Sequence, residues 1–227
     1  HVNVYHLDNK THEVSALLQH HGLVQILGIT ETRLSPHKHS ADCVSISNYT
    51  FFRRDAHYIG HTGIGAYVHH SLSNFTKRRL DLELSSIECL WLEVRSTLSP
   101  PFLVGFIYRN PASHNNWFDD FEQMMDRVNS CNLNTFILGD FNIDLLIPQP
   151  QWSNFINMFG LTQMIKNPTR ITNTSSTLLD HIYTNNINAV SKSFVSNICM
   201  SDHRPIICEL SFKTPKSNLK GHTYYTY

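Results

Sequence analysis

Three absences limit the function classes open to this sequence: long apolar runs, an excess of charge of one sign, and closely spaced cysteine pairs. No apolar run approaches the roughly 18 residues that a membrane-spanning helix requires, so no membrane interaction is predicted. Lysine plus arginine and aspartate plus glutamate both total 18. Because bulk electrostatic binding of nucleic acid needs a surplus of cations, a nuclease of this composition must rely on local charge. One short basic run occurs at residues 77–79, although such runs are mostly solvated loops.

The five cysteines are scattered, and no two of them have the C-x-x-C spacing of zinc sites and thioredoxin-like proteins. We therefore expect reduced thiols in an intracellular protein. The chain begins with His1 and shows neither a charged nor an apolar leader. We expect it to be an excised part of a longer protein.

The composition is that of a globular domain. Hydrophobic residues make up 41% of the 227 residues and charged residues 16%, which is close to ordinary globular usage. A single domain is expected over residues 1–212. From Lys213 the chain becomes basic, polar and rich in tyrosine, so residues 213–227 are expected to begin a connector to a downstream region.

Apolar periodicity predicts strands with interspersed helices. Strand patterns cover residues 23–29, 63–68, 90–94, 102–108, 135–138, 178–183 and 206–212. Helical spacing occurs in three groups: Val14, Leu17 and Leu18, capped by Gly22; Phe118, Phe121, Met125 and Val128, after a start signal at Asn115 and Asn116; and Trp152, Phe155, Ile156 and Phe159, closed by Gly160. Strands that outnumber helices favour a two-sheet α/β sandwich flanked by helices.

Four polar clusters stand where predicted strands end: Glu31 with Thr32, residues 139–142, Asp180 with His181, and residues 201–204. Carboxylates at such positions are typical of a magnesium site that also holds phosphate, because the ion takes one or two protein carboxylates and keeps several waters. Taken alone, Glu31 is better explained as an exposed glutamate that begins a loop, and only the companion clusters favour a metal carboxylate.

The cluster at residues 139–142 has two interpretations. If the backbone is extended, Asp140 and Asn142 lie on the same side of it, where the carboxylate can accept a proton from a water that the amide holds in line. In that case Gly139 marks a tight exit from the strand. Alternatively, a β-turn uses the same residue types, with both side chains bonded to their own backbone.

Asp180 stands in an apolar strand, where a charge is costly unless it is paired. Its predicted partner is His203. A hydrogen bond between them would raise the pKa of the histidine and favour the imidazolium, which stabilises charge on a phosphorane. A purely structural buried pair is the alternative. Asp202 is predicted to serve as a general base or to lie at the metal, and together the clusters favour metal-assisted attack of water on a phosphodiester.

Six motifs in this order carry a family resemblance: Asn3-Val4, residues 29–34 (ITETRL), 108–111 (YRNP), 139–142 (GDFN), 179–182 (LDHI) and 201–203 (SDH). The chain resembles the endonuclease/exonuclease/phosphatase superfamily over nearly its whole length. Within that superfamily it is most similar to the apurinic-type endonuclease domain of a non-LTR (LINE-type) retrotransposon.

This resemblance implies a four-layered α/β sandwich with two mainly antiparallel sheets. It also implies an enzyme that nicks double-stranded target DNA with Mg²⁺, or Mn²⁺ as a substitute, and leaves a 3′ hydroxyl to prime target-primed reverse transcription. The implied partners are the target DNA, the element RNA and a reverse transcriptase of the same polyprotein. The isolated domain is expected to be monomeric, acting in the nucleus after particle assembly in the cytoplasm.

The resemblance also implies residue roles. The catalytic set is Glu31, Tyr108, Asp140, Asn142, Asp180, Asp202 and His203. Among these, Asp140 activates the water, and Tyr108 supports the phosphate or the leaving oxygen. The metal ligands are Glu31, Asn3 and Asp202, and the residues expected to contact substrate DNA are Arg33, Asn110, Thr169, Arg170 and Ser201.

One departure from the family pattern weakens the assignment of Asn3, because Val4, Tyr5 and His6 follow where the family has a small or apolar residue, arginine and serine. Other enzymes of the superfamily remain alternatives: an abasic-site repair endonuclease, a secreted DNase or a phosphoinositide phosphatase. The scattered cysteines and the missing leader disfavour secretion. A catalytically inactive module that binds nucleic acid or protein is a further alternative, disfavoured because competent residues occupy every catalytic position.

Overall fold

The computed structural model of the protein describes residues 1–20, 24–56, 62–114 and 116–213. The helices are α1 (Thr11–His20), α2 (His70–Ser73), α3 (Trp117–Ser130) and α4 (Pro150–Met158). The strands are β1 (Val2–Asn3), β2 (Ile26–Thr30), β3 (Tyr49–Arg54), β4 (Ile64–His69), β5 (Thr76–Arg78), β6 (Glu88–Val94), β7 (Phe102–Tyr108), β8 (Asn134–Asp140), β9 (Thr162–Gln163), β10 (Arg170–Ile171), β11 (Ser176–Thr177), β12 (Asp180–Thr184), β13 (Val190–Val195) and β14 (Ile206–Leu210).

These strands form two mixed sheets and two hairpins. The first sheet has the order β1-β2-β4-β3, the second has the order β5-β6-β7-β8-β12-β9, and the hairpins are β10–β11 and β13–β14. Neighbouring strands in the two sheets run antiparallel except for the pairs β1–β2 and β7–β8. The parallel pair β7–β8 needs a long crossover, and α3 lies within it.

Side-chain alternation along β7 shows how the layers pack. Phe102, Val104 and Phe106 join an apolar core with residues of β4 and β6. Leu103 and Ile107 join a second core with α3 and α4. A third core places α1 against the outer face of the four-stranded sheet. Helix, sheet, sheet and helix therefore follow one another, which confirms the predicted α/β sandwich.

The segment 139–142 begins inside a strand, whereas the sequence predicted that its glycine would mark the strand exit. Strand β8 continues through Gly139 and ends at Asp140. A Cβ at position 139 would lie 1.9 Å from the carbonyl oxygen of Ile107 on the neighbouring strand. The glycine is therefore needed for close approach of β7 and β8.

The predicted helices are present, with one difference in orientation. Phe118 was expected on the buried face of α3, but it is 38% exposed. The buried face is instead formed by Trp117, Phe121, Met124, Met125 and Val128. Gly160 follows α4 with φ of +65°, in agreement with the predicted cap.

Some predicted features lie outside the described residues, namely the cap at Gly22, the strand start at residue 23, the helix signal at Asn115 and residues 214–227 of the tail. No helix in the described ranges is both long and apolar enough to cross a bilayer.

The basic run at residues 77–79 is not a solvated loop. Its first two residues belong to β5. Arg78 forms an ion pair with Glu83 at 2.7 Å, and Arg79 contacts Glu93 and lies 2.6 Å from Asp81. The two arginines are thus neutralised within the protein, which leaves this run little free charge for nucleic acid.

A buried hydrogen-bond chain connects β12 to α4 behind the end of β8. Trp152 Nε1 donates to the Tyr183 hydroxyl at 2.7 Å, and this hydroxyl bonds to His181 Nδ1 at 2.8 Å. His181 Nε2 faces the carbonyl oxygen of Ile143 at 3.0 Å, which requires the proton to be on Nε2. The imidazole also stacks on Phe141 at 5.1 Å. His181 is therefore a neutral, fully bonded core residue.

We predict that protonation of His181 makes the metal-free protein less stable in acid. Burial lowers the pKa of His181 from 6.5 to about 4. The unfolded chain therefore takes up a proton at a higher pH than the folded chain, and stability is lost as the pH falls from 6.5 to about 4, by up to about 3 kcal/mol. Urea unfolding across this window should show a weaker pH dependence for His181→Gln than for the parent. The exposed control His114→Gln should match the parent, and equal slopes for all three proteins would contradict the prediction.

Candidate active site

Strand topology brings the polar clusters to one end of the sandwich. In the six-stranded sheet, Tyr108 at the end of β7 lies beside Asp140 at the end of β8. Because β12 runs antiparallel to β8, its first residue, Asp180, pairs with Asp140. In the four-stranded sheet, parallel pairing places Asn3 beside the end of β2, where Glu31 follows.

The side-chain amide of Asn3 connects the two sheets. Its Nδ2 donates to Glu31 Oε1 at 2.9 Å and to Asp140 Oδ2 at 3.0 Å. The Tyr108 hydroxyl donates to the same Glu31 oxygen at 3.1 Å. Burial, followed by the charge of Glu31, raises the pKa of Tyr108 above its ordinary value, so the phenol keeps its proton.

The predicted pair of Asp180 and His203 is present. His203 Nδ1 lies 2.8 Å from Asp180 Oδ2 and 3.8 Å from Asp140 Oδ2. Burial by itself would lower the pKa of His203, but attraction to Asp180, their hydrogen bond and the charge of Asp140 outweigh it and raise the pKa to about 9. At neutral pH the ring is therefore an imidazolium, and its Nε2 is the donor left for a ligand.

Asp140 is a buried carboxyl group whose properties suit proton transfer. Burial and repulsion from Asp180 raise its pKa to about 7, although His203 and the donors from Asn3 and Asn142 act in the opposite direction. A group that titrates near neutrality can accept a proton from water in one step and release it later.

The backbone after Asp140 forms a turn, so the extended geometry predicted through Asn142 is wrong. Asn142 has φ of +50°, and its backbone N–H donates to Asp140 Oδ1 at 3.0 Å. Its side-chain Nδ2 donates to the carbonyl oxygen of Arg109 at 2.8 Å. The turn and the catalytic interpretations are thus compatible, because the turn fixes the Asp140 carboxylate.

Arg109 holds this turn at three points. Its backbone N–H donates to the carbonyl oxygen of Asp140 at 2.9 Å, and its carbonyl oxygen accepts from Asn142. Its guanidinium lies 3.4 Å from the carbonyl oxygen of Phe141 and over the ring of Trp117, 5.3 Å from the ring centre. The sequence prediction missed this residue, although it directly follows Tyr108 in the motif at residues 108–111.

The loop after β2 presents the most exposed carboxylate of the site. The Glu31 side chain is 14% exposed, whereas those of Asp140 and Asp180 are 1% exposed. Arg33 Nη2 lies 3.3 Å from Glu31 Oε2, and its guanidinium stacks over Tyr5 at 4.2 Å. Arg33 is therefore at the mouth of the site, where a phosphate backbone can reach it.

The donor set fits a hard divalent cation, which binds oxygen ligands. Asp140 and Asp180 lie beside the imidazolium, and Glu31 is joined to Asp140 through Asn3. The buried Asp180 Oδ1 has no hydrogen-bond partner among the described residues. Asp140, Asp180 and His203 also bring one potential ligand atom each within 4.8 Å of one another. Because a protonated His203 offers no lone pair to a metal, Glu31 with neighbouring Asn3 is the better position for the ion.

Three of the residues expected to contact substrate DNA form hydrogen bonds within the protein: Ser201, Thr169 and Asn110. Ser201 Oγ donates to the carbonyl oxygen of Asn3 at 2.8 Å and accepts from the backbone N–H of His203 at 3.0 Å. Thr169 is fully buried, and its Oγ1 accepts from the backbone N–H of Asp180 at 2.9 Å. Asn110 caps a turn in the loop after β7, where its Oδ1 accepts from Ala112 N–H at 2.9 Å. Ser201 and Thr169 therefore support the site rather than face a ligand.

Asp202 is not brought into the buried cluster. Its side chain is 43% exposed, and Oδ2 accepts from Arg170 Nε at 2.7 Å. Arg170 begins the hairpin β10–β11, which pairs with the segment of His203 through a bridge between residues 170 and 203. The ion pair thus links the hairpin to this segment on the surface.

A second imidazole that the sequence prediction did not consider lies against Asp180. His1 Nδ1 is 3.6 Å from Asp180 Oδ1, and His1 Nε2 lies 3.1 Å from Thr30 Oγ1. The sequence contained one signal for His1: residues two apart on an extended strand share a face, and Asn3, two residues after His1, faces the site.

Sequence comparison identifies the family of this chain. The family model of the endonuclease/exonuclease/phosphatase family matches residues 1–203. The chain therefore belongs to that family. A search of curated protein sequences gave no significant match.

Solved structures with the same fold are distant in sequence. The AP endonuclease LMAP from Leishmania major superposes with a TM-score of 0.74 at 12% identity, covering 90% of this chain and 84% of that one. The endonuclease domain of TRAS1, a telomere-specific non-LTR retrotransposon, gives 0.69 at 14% identity and covers 92% and 94%. The 3′-5′ exonuclease NExo from Neisseria meningitidis gives 0.69 at 16% identity and covers 92% and 97%.

We predict that Asp180→Asn lowers the pKa of His203 in the metal-free protein. The variant removes the main attraction on the imidazolium while burial, which disfavours it, remains. NMR titration of the His203 ring measures the change, and in this variant its pKa should fall from about 9. The surface control Asp202→Asn should change it much less. An unchanged titration in Asp180→Asn would contradict the assigned pair.

Proposed function

We propose that this protein is a divalent-metal-dependent endonuclease that hydrolyses a phosphodiester in double-stranded DNA and leaves a 3′ hydroxyl. The observation that carries the proposal is the continuous network from Glu31 through Asn3 and Asp140 to His203 and Asp180. It combines a cation site, a proton acceptor and an imidazolium within one cleft, and these are the groups that phosphodiester hydrolysis requires.

Each residue has a defined task in this reaction. Asp140 accepts the proton of the attacking water, and the Asn142 turn keeps its carboxylate in place. His203, held by Asp180, donates from Nε2 to a non-bridging phosphate oxygen as negative charge increases there. A new oxygen–phosphorus bond forms from water and the bond from phosphorus to the 3′ oxygen breaks. That oxygen takes a proton from solvent water, and Asp140 afterwards returns its proton to the solvent.

The cation would be held by Glu31 with Asn3 beside it, and it would supply Lewis-acid stabilisation of the phosphate and the leaving oxygen. Magnesium matches the oxygen donors, and manganese accepts the same ligands. Tyr108 orients Glu31 through its hydroxyl. We assign Asp202 no proton transfer, since Arg170 engages it on the surface.

We propose further that the nick primes reverse transcription in a non-LTR retrotransposon. The support is the ordered set of motifs in the sequence together with the fold shared with the TRAS1 endonuclease domain. In this proposal the partners are target DNA, the element RNA and a reverse transcriptase of the same polyprotein, and the protein acts in the nucleus. Lysine plus arginine and aspartate plus glutamate both total 18. Because the protein has no surplus of cations, target choice would depend on local contacts and DNA shape.

Supercoiled plasmid provides the direct test of nicking. With Mg²⁺, the parent should convert supercoiled DNA to the open circle, and a chelator should stop the reaction. Asp140→Ala and His203→Ala should each lower the rate by a factor of at least about 100, because proton acceptance and charge stabilisation are separately required. The exposed helix variant Asp126→Ala should retain the parent rate. Undiminished nicking by either site variant would refute the mechanism.

Substrate choice separates the proposed role from repair. A nicking endonuclease that primes reverse transcription must cut intact DNA, whereas a repair enzyme needs an abasic site. We expect comparable cleavage of an intact duplex and of a matched duplex with one abasic analogue, measured side by side on a sequencing gel. Cleavage confined to the abasic duplex would overturn the retrotransposition proposal and retain the metal chemistry.

A further inference from the structure

A buried carboxylate outside the catalytic network lies on the neighbouring strand. Glu88, the first residue of β6, is 5% exposed and pairs across the sheet with Tyr108. Its Oε1 accepts hydrogen bonds from the backbone N–H groups of Gly63 and Thr62, the latter at 2.8 Å, and from Thr62 Oγ1 at 3.2 Å. Three donors on one carboxylate oxygen fix residues 62 and 63 in place.

The same two residues hold the loop that carries Glu31. The carbonyl oxygen of Gly63 accepts from Thr32 N–H at 3.0 Å, and that of Thr62 accepts from Arg33 N–H at 2.7 Å. Gly63 approaches closely, since a Cβ there would lie 2.5 Å from Thr32 Oγ1. Glu88 therefore acts on the loop through one intervening backbone segment.

The loop needs such support because its backbone is strained. Glu31 and Arg33 both have φ of +52°, a region that side-chain-bearing residues rarely adopt. On the opposite side, His6 N–H donates to the carbonyl oxygen of Glu31 at 2.9 Å and Leu7 N–H to that of Thr32 at 3.0 Å. The loop is thus clamped between residues 6–7 and 62–63.

The position of Glu88 is costly for the fold. Burial raises its pKa to about 7, although the donors at residues 62 and 63 and the nearby Arg54 act in the opposite direction. Arg54 donates to the carbonyl oxygens of Ile87 and Cys89, at 2.9 and 3.0 Å, on either side of Glu88. Because burial disfavours its charged form, Glu88 depends on these hydrogen bonds, and they connect it to the segment that holds the Glu31 loop.

We propose that Glu88 is a positioning residue that orients the metal carboxylate Glu31 by fixing residues 62 and 63. This inference rests on the proposed function in one respect, namely that the ligand bound by Glu31 is a divalent metal ion. The Glu88 carboxylate bonds to residues 62 and 63. Its removal should therefore loosen the Glu31 loop and weaken cation binding while the chemistry of Asp140 and His203 persists.

The test compares Glu88→Ala and Glu88→Gln with the exposed helix control Glu122→Ala. In the metal-free proteins, hydrogen exchange by NMR reports the amides of Thr32 and Arg33. We expect Glu88→Ala to exchange there about 10–100-fold faster than the parent, with core amides of β7 and β8 unchanged. Glu88→Gln retains an acceptor oxygen and should stay close to the parent.

Metal binding supplies the second readout. Titration with Mn²⁺ alone, followed by electron paramagnetic resonance, should show affinity about 10–100-fold weaker in Glu88→Ala and near parental affinity in Glu88→Gln and Glu122→Ala. In the nicking assay, Glu88→Ala should need more Mg²⁺ and recover most of its rate when saturated.

Each outcome decides between the two proposals. Unchanged loop exchange and Mn²⁺ affinity in Glu88→Ala would overturn the role of Glu88, even if the parent nicks DNA. A parent that binds Mn²⁺ and shows the loop effect but never nicks DNA would refute the nuclease proposal and leave Glu88 as the positioning residue. If Glu88→Ala does not fold, the similarly sized Glu88→Met, which offers no acceptor oxygen, takes its place: faster exchange at the same two amides with weaker Mn²⁺ binding supports the role, and parental values refute it.

Discussion

The site depends on one residue, Asn3, because three chain segments meet at its amide and carbonyl groups. Its Nδ2 donates to Glu31 of the four-stranded sheet and to Asp140 of the six-stranded sheet. Its carbonyl oxygen accepts from Ser201, which in turn bonds the backbone of His203. The apolar core holds the sheets together without fixing how their ends align, since dispersion and burial are not directional. Directional bonds at Asn3 supply that alignment.

The carboxylates around Asn3 repel one another in the metal-free protein. Glu31, Asp140 and Asp180 bring three carboxylates together, and His203 provides one compensating charge within their buried part. Removing one partner of a buried ion pair typically costs about 3–5 kcal/mol, so His203 stabilises the fold in addition to its proposed role in the chemistry. A bound cation would relieve the remaining repulsion, and ligands that bind only the folded state stabilise it. Stability and function are thus coupled through the same residues.

Predictions from the sequence were correct where the physical rule involves only residues that are close along the chain. Apolar alternation located β7 within its observed bounds, and the cost of a charge in an apolar strand led to the pair of Asp180 and His203. Strands such as β3 and β13 were missed because their faces are only partly buried and their patterns are weak. The role of Gly139 was misjudged because its neighbour across the sheet, Ile107, is set by register, which no local pattern contains.

The supporting residues were invisible in the sequence for the same reason. Glu88 and Arg109 act through backbone groups of segments that are distant along the chain. Either of them reads as an ordinary strand or loop residue until pairing is known. Motifs therefore identify side chains that face a ligand, whereas the residues that aim those side chains require the fold.

The distribution of backbone strain links these supports to function. Seven non-glycine residues in the described chain have positive φ, and five of them lie around the cleft: Tyr5, His6, Glu31, Arg33 and Asn142. The other two are asparagines, which tolerate this conformation better than most residues. Each strained residue lowers the stability of the fold by about 1–3 kcal/mol and persists only where the surrounding structure holds it in place. Hydrogen bonds from residues 6–7, 62–63 and 109 hold the strained backbone here. The cleft is therefore a rigid arrangement maintained by the two sheets, which is what fixed placement of a cation and a proton acceptor around one phosphate requires.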